Sequence, residues 1–220
     1  DTVRFRQTAS YYETPGSGPR RQTSMYPVLK VEKPGALSIV EDFGRTGYAH
    51  LGLSRGGVSD RLAASRANAL AGNSPDAALL ELNWSGPTLR VLRPTVIAID
   101  GADMGCRVDG QPVPTGVGWF ARPNSLIDFL QSSPSQSGAR AFLAIQGGVD
   151  VPRLLGSRST ALQAGFGGHE GRALRAGDLL NATQVGSPPA MVAGKFWMPR
   201  VELRIGKHAV VRVARYSGPG

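Results

Sequence analysis

The sequence predicts a mainly β fold, a barrel or sandwich of many short strands with one good helix. Three observations lead there. The 220 residues include 29 glycines and 16 prolines, and these fall between short apolar runs as turns fall between strands. The runs themselves are bounded by Gly, Pro, Asn or Asp. Only residues 59–71 carry both a start and a stop signal for a helix. The apolar share, 41 %, is ordinary for a globular chain, so a packed core is expected.

Taken in order, residues 3–6 read as the end of a strand. Residues 14–27 hold Pro15, Gly16, Ser17, Gly18, Pro19 and the pair Arg20-Arg21 with little apolar content, which is linker chemistry. The main domain starts near Val28. Residues 28–32 alternate as a strand, Pro34-Gly35 turns the chain, and residues 37–40 form a second strand. Residues 41–57 contain Gly44, Gly47, Gly52, Gly56 and Gly57, which implies a loop folded tightly against its own backbone or a ligand. Ser59 is expected to cap the helix, with Asp60 in its first turn and Gly72-Asn73 as the stop. Leu62, Ala63, Arg66, Ala67 and Leu70 form a narrow stripe of mostly small residues that suits packing on a sheet. Strands follow over residues 79–82, 88–92, 96–100, 106–108, 118–121, 126–130 and 141–145. Asp109-Gly110 is a two-residue hairpin turn, and Ala176-Gly177-Asp178 turns the chain before Leu179-Leu180. Residues 186–194 read as a surface loop, and residues 201–205 and 210–213 as a last strand pair.

Composition excludes some functions. No apolar stretch is long enough to cross a bilayer, and the first residues lack a signal-peptide pattern. The net charge is +9, but no Lys/Arg run exceeds two residues and no basic stripe interleaves with aromatics, so nucleic acid is not the expected partner. Solvated surface arginines with a few anion contacts are. One cysteine, Cys106, cannot form an internal disulfide, which fits a reducing cytoplasm.

Short motifs narrow the field. Gly52-Leu53-Ser54-Arg55-Gly56 matches the nucleophile-elbow pattern, but a poor strand precedes it and a further glycine separates it from the helix. No P-loop is present, and residues 165–171 miss the dinucleotide-binding spacing by one residue. His50, His169 and His208 lie far apart with no Cys or carboxylate at ligand spacing, so no metal site is expected. His169, beside Glu170 in a glycine loop, reads equally as a functional or a surface histidine. Asp42, Arg45, Arg55, Asp60 and Arg61 crowd one stretch. They can position a carboxylate or phosphate, or form a structural ion-pair network. Gly156-Ser157-Arg158-Ser159-Thr160 packs amides, hydroxyls and a guanidinium together, which suits an anion or a tight polar turn.

These segments, in order, resemble the allophanate-hydrolase-subunit-2 family, a carboxyltransferase-like family that includes KipA-like proteins and the C subunit of bacterial 5-oxoprolinase. The resemblance runs through Lys33-Pro34-Gly35, Glu41-Asp42-Phe43-Gly44-Arg45-Thr46-Gly47, Gly56-Gly57-Val58-Ser59-Asp60-Arg61, Ala67-Asn68-Ala69-Leu70-Ala71-Gly72-Asn73 and Leu80-Glu81. It continues through Asp100-Gly101-Ala102-Asp103-Met104-Gly105, Gly147-Gly148-Val149-Asp150-Val151-Pro152, Leu155-Gly156-Ser157-Arg158-Ser159-Thr160, and Gly167-Gly168-His169-Glu170-Gly171-Arg172 with Ala176-Gly177-Asp178. Glu41 stands where the family usually carries Gln.

The resemblance implies a mainly β, cyclophilin-like β-barrel with one or two short helices over residues 28–205. Residues 206–220 would begin a truncated second domain. Asp1-Thr2-Val3-Arg4-Phe5-Arg6 is similar to the closing strand of the family's usual partner, so residues 1–13 would end a subunit-1-like (KipI-like) domain and residues 14–27 would join the halves. The implied activity is a component of an ATP-dependent 5-oxoprolinase, which opens 5-oxoproline to glutamate with Mg²⁺-bound ATP. It would act with a KipI-like protein and with the separate A subunit of 5-oxoprolinase. By resemblance, Asp42, Asp60 and Asp103 are the candidate catalytic residues. Arg45, Arg55, Arg158, Ser159, Thr160 and His169 would bind substrate or phosphate. The alternatives are a urea carboxylase carboxyltransferase, with biotin as cofactor, and a non-catalytic regulator of a kinase inhibitor.

Overall fold

The computed structural model describes residues 26–129, 138–183 and 193–196. The expected strands at 3–6, 201–205 and 210–213 lie outside the described residues, as do most of the expected linker and of the surface loop at 186–194.

Among the described residues, eleven strands and one α-helix form three layers. One sheet has the order β11-β1-β4-β9-β6-β7 and the other β2-β3-β10-β5-β8. The first contains β1 (Pro27–Lys33), β4 (Thr88–Val91), β6 (Cys106–Val108), β7 (Gln111–Pro112), β9 (Leu126–Phe129) and β11 (Leu179–Asn181). The second contains β2 (Leu37–Glu41), β3 (Leu79–Asn83), β5 (Thr95–Gly101), β8 (Gly118–Ala121) and β10 (Arg140–Ile145). Every pairing is antiparallel. The mainly β expectation holds. Among the described residues the two sheets remain separate hydrogen-bonded layers rather than closing into one cylinder.

The core explains this layering. Leu29, Val31, Leu89, Val91 and Ile127 from the first sheet pack with Leu80, Leu82, Ile97, Ile99, Leu143 and Ile145 from the second. The opposite face of the second sheet presents Leu79, Ala98, Phe142 and Ala144 to helix α1 (Arg61–Leu70), through its Ala63, Ala64, Ala67 and Leu70. Strands β3, β5 and β10 are thus covered on both faces, and so they read as near-continuous apolar runs rather than as alternating ones.

The helix departs from expectation in two details. Asp60, not Ser59, is the N-cap: its Oδ1 accepts from the amides of Leu62 (2.9 Å) and Ala63 (3.0 Å). Ser59 is tied to the sheet instead: its amide and hydroxyl both donate to Glu81 at 3.0 Å. Leu62 is 65 % exposed, and Ala64 and Asn68 take the buried face in its place. Alanines suit that face because they let helix and sheet approach closely. Arg66 clamps the two with a fork onto Asp100, at 2.9 and 2.6 Å. Asn73, just past the helix, donates to the Ile145 carbonyl and accepts from the Gly147 amide, tying the helix end to the turn after β10.

Asp109-Gly110 forms the predicted hairpin between β6 and β7, both residues having positive φ. The short strand β7 was not foreseen, because Gln111–Pro112 carries no apolar signal.

Candidate functional site

Strand β2 delivers the site. It ends at Glu41, and the next residue, Asp42, starts the glycine-rich loop that returns to helix α1. The loop folds on itself: the Arg45 amide donates to the Arg55 carbonyl and the Val58 amide to the Asp42 carbonyl, both at 2.8 Å. Gly44 and Gly57 meet where the two arms of the loop cross. A Cβ on Gly44 would sit 2.5 Å from the Gly56 carbonyl oxygen, so the glycines there answer to the chain's own backbone.

A second loop docks onto the first. Thr160 donates from both its amide (3.0 Å) and its hydroxyl (2.7 Å) to the Val40 carbonyl. Asp42 is the bolt between the two loops. Its Oδ1 accepts from the hydroxyls of Ser157 and Ser159, both at 2.6 Å, and from the Gly44 amide at 2.8 Å. Its Oδ2 accepts from the Arg158 amide at 2.6 Å. Burial alone would raise the Asp42 pKa, but these donors hold it below the ordinary value, so the side chain is a carboxylate whose oxygens are committed to the fold.

Arg45 lies beneath this joint and is 2 % exposed. Its Nη2 donates to the Ser159 carbonyl at 2.5 Å, and Phe166 covers its face at 4.8 Å to the ring centroid. Its Nε and Nη1 have no hydrogen-bond partner. Glu41, 3 % exposed, has an unpartnered Oε2. Burial pushes the Glu41 pKa up to about 7. The Ser159 hydroxyl and Gly57 amide oppose that rise, and Glu81 and Asp42 add to it. Buried polar groups are nearly always paired. Among the described residues only four buried side-chain atoms are not, and three of them belong to Glu41 and Arg45.

The other residues picked from the sequence sit around this centre or away from it. Ser159 and Thr160 are inside the joint. Arg158 is paired, donating to the Val151 carbonyl (2.9 Å) and to Asp150 (3.3 Å). The Arg55 side chain is exposed on the first loop. Asp60 is spent on the helix cap. Asp103, exposed, accepts from the Gly105 amide at 2.9 Å. His169 approaches Asp178 at 3.5 Å, and Asp178 also takes a two-pronged contact from Arg172 at 2.8 and 3.0 Å. That group braces the turn before β11. The Gly52–Gly56 motif is not an elbow, because a 3₁₀ turn at Ala49–Leu51 precedes it and no strand does. An open cleft of about 520 Å³, lined by Val108, Trp119, Phe120 and Arg122 among others, includes none of these residues.

Sequence reasoning assigned no role to Glu41 and did not single out the Glu81 beside it. The signal was present: Leu80-Glu81 places a charge inside a strand that is buried throughout, and Glu41 replaces an expected Gln.

Known proteins resemble this chain in sequence and in fold. The family model described as carboxyltransferase domain, subdomain A and B, matches residues 51–216. The chain is 37 % identical over 153 residues to the 5-oxoprolinase C subunit of Escherichia coli (strain K12), covering 70 % of this chain and 48 % of that protein. It is 34 % identical over 175 residues to urea amidolyase of Lachancea kluyveri, covering 78 % of this chain and 9 % of that one. The solved structure of TTHA0988 superposes with a TM-score of 0.72 at 35 % identity, over 80 % of this chain and 34 % of its own. The chain therefore spans about half of the bacterial protein and a small part of the amidolyase.

Proposed function

Because the chain belongs to the carboxyltransferase domain family, subdomain A and B, we propose that it serves as a component of an ATP-dependent 5-oxoprolinase, acting with partner subunits. The similarity to the 5-oxoprolinase C subunit carries this reading, and the buried Arg45 with its unpartnered donors supports it.

The chemistry demands such a group. A lactam is a poor electrophile. Transfer of the γ-phosphoryl group from ATP to the lactam oxygen turns that oxygen into a leaving group. ADP leaves in that first step; water then adds to the ring carbon, the C–N bond breaks as the nitrogen takes up a proton, and a second water attacks the resulting γ-glutamyl phosphate to release glutamate and phosphate. Negative charge develops on the oxygens throughout, and preorganised donors in a dry site stabilise it. Arg45 supplies such donors. Glu41, protonated over part of the neutral range, can hold or release a proton in the same cluster. Asp42 keeps the two loops together so that both stay in place. Exposed Arg55 stands on the same loop for phosphoryl charge. Mg²⁺ would neutralise the nucleotide's phosphates. The described residues gather no group of three or more His, Cys, Asp or Glu. The partners in this proposal are a subunit-1-like (KipI-like) protein and the separate 5-oxoprolinase A subunit, in a reducing cytoplasm. No helix among the described residues is long and apolar enough to cross a membrane.

A second reading, favoured by the similarity to urea amidolyase, is transfer of a carboxyl group from carboxybiotin to urea. One assay separates the two. The intact protein with its partner subunits should release ADP and glutamate when given 5-oxoproline and stay silent with urea. Biotin-dependent consumption of urea, with no response to 5-oxoproline, would replace the first reading by the second.

A further inference from the structure

The joined loops carry most of the large apolar side chains that the fold leaves bare. Eight such side chains are exposed among the described residues, and five of them, Leu51, Leu62, Leu154, Leu155 and Leu162, lie on the two loops and the first turn of α1. Residues 46–54 form an excursion closed at its base by the bond between Arg45 and Arg55, with Leu51 ending its 3₁₀ turn. The hairpin from Leu154 to Ser157 is fastened by the Ser157 hydroxyl on Asp42, and the one from Ala161 to Phe166 by Phe166 on Arg45. Exposed leucines gathered in this way mark an interaction surface, where scattered single ones do not. Leu155 adds a second observation. Its φ is 54° and that of Gly156 is 77°, and they are the central residues of a tight turn in which Leu154 and Ser157 bond each other both ways, at 2.8 and 3.2 Å. Such turns favour Asn-Gly, because a leucine is strained in the left-handed region. Leu155 is 39 % exposed, so packing within the chain offsets little of that strain. Strain held at an exposed apolar side chain points to a contact outside the chain.

We propose that this leucine-bearing surface docks a partner protein whose contact face is apolar at its centre and rich in carboxylates at its rim. The charges on the same segments set the rim. Arg55, Arg61 and Arg153 are exposed there and form no ion pair among the described residues. The one acidic residue within residues 46–62 and 152–165 is Asp60, and its carboxylate caps α1. The surface is thus apolar and positive, and its complement is apolar and negative. Arginine suits such a rim, since its stem covers apolar surface while its fork bonds a carboxylate. Taking the partner to be the subunit-1-like protein rests on the function proposed above; the chemistry of the surface does not.

Titration calorimetry of the intact protein with the purified subunit-1-like protein tests the surface. Leu155→Asn removes the leucine and suits the turn. It should raise the melting temperature of the protein alone by about 2 to 4 °C, through relief of one strained residue, and weaken binding by about tenfold or more, through loss of one buried leucine. A leucine that served the fold would lower the melting temperature when replaced. Trp84→Asn is the control. Trp84 is 73 % exposed with a φ of 68°, and it follows the Asn83 end of β3, whereas Glu41 and the site meet the Leu79 end. That variant should relieve similar strain and bind as the wild type does. Arg153→Glu should weaken binding by about tenfold or more, and added salt should weaken wild-type binding. Equal binding by wild type and Leu155→Asn would overturn the docking surface and leave the partner reading standing. Absence of binding by the wild type would overturn the partner reading and this proposal together. Self-association of the protein alone, abolished by Leu155→Asn, would overturn it in favour of a second copy of this chain.

Discussion

Replacing Glu41 by Gln should make this protein more stable at alkaline pH and change little at acid pH. The carboxyl sits at the end of β2, 3 % exposed, with one oxygen unpartnered, and burial raises its pKa from 4.5 to about 7. A group whose folded pKa lies above its unfolded value favours the folded state only while protonated. Its contribution is complete below pH 4.5 and is lost as pH rises through about 7. At about 1.4 kcal/mol per pKa unit, the shift is worth about 3 kcal/mol. Gln matches the shape of the protonated acid and cannot ionise. Any constant cost of its amide group cancels when the two proteins are compared at two pH values, and so do the titrations of every other group. Urea unfolding of wild type and Glu41→Gln at pH 5 and pH 8.5 measures the two gaps. The stability difference should move in favour of the variant by about 3 kcal/mol between them. A difference that stays constant within about 0.5 kcal/mol would show that Glu41 titrates as an exposed acid does, and the buried, proton-holding role assigned to it would fall.

Three further outcomes follow from the same structure. Asp178 is held down to about 2, since the Arg172 guanidinium, the Arg175 amide and His169 outweigh the burial that would raise it. Its stabilisation is present above its ordinary pKa and disappears as pH falls from about 4 to about 2. Asp178→Asn should therefore cost about 1 to 2 kcal/mol at pH 7, a partly solvated pair giving less than its full shift, and almost nothing at pH 2, as read by denaturant titration. Asp60→Ala should lower stability by about 1 kcal/mol through loss of the helix cap, while Asp60→Asn should retain most of it, a contrast that thermal melting resolves. Cys106 is 5 % exposed and burial raises its thiol pKa well above the ordinary range, so an aromatic disulfide reagent should leave it unmodified in the native protein and react once urea unfolds it; rapid native reaction would contradict its buried placement.

Much of the framework was legible because the chain punctuates its strands with Gly, Pro, Asn and Asp, and turns such as Asp109-Gly110 need positive φ that few residues tolerate. The helix was legible from its cap region, but its first residue was not. Ser59 and Asp60 are both good caps, and the choice is made by Glu81, a residue on strand β3 that engages the Ser59 hydroxyl and amide. Leu62 looked buried on a helical wheel, yet the sheet meets the alanine face beside it. Sequence could not say whether strands close a barrel, because closure depends on which edges pair. The site divides in the same way. That residues 42–47 and 157–160 belong together was implied by their shared polar, glycine-rich chemistry. Which charge is spent on structure was not, since Asp42 and Arg45 look alike in a list of charged residues. Only the hydrogen bonds separate a carboxylate with four donors from a guanidinium with two idle nitrogens.

Our proposal that Arg45 is buried to meet a ligand is addressed directly by Arg45→Met, measured for both unfolding stability and 5-oxoproline-dependent ADP release in the presence of the partner subunits. Replacing an unpaired buried charge by an apolar side chain of similar size should leave stability within about 1 kcal/mol of wild type or raise it. Turnover should fall by about 100-fold or more, the loss expected for a donor to developing negative charge. A variant that unfolds several kcal/mol more easily, or one that turns over at the wild-type rate, would contradict the account.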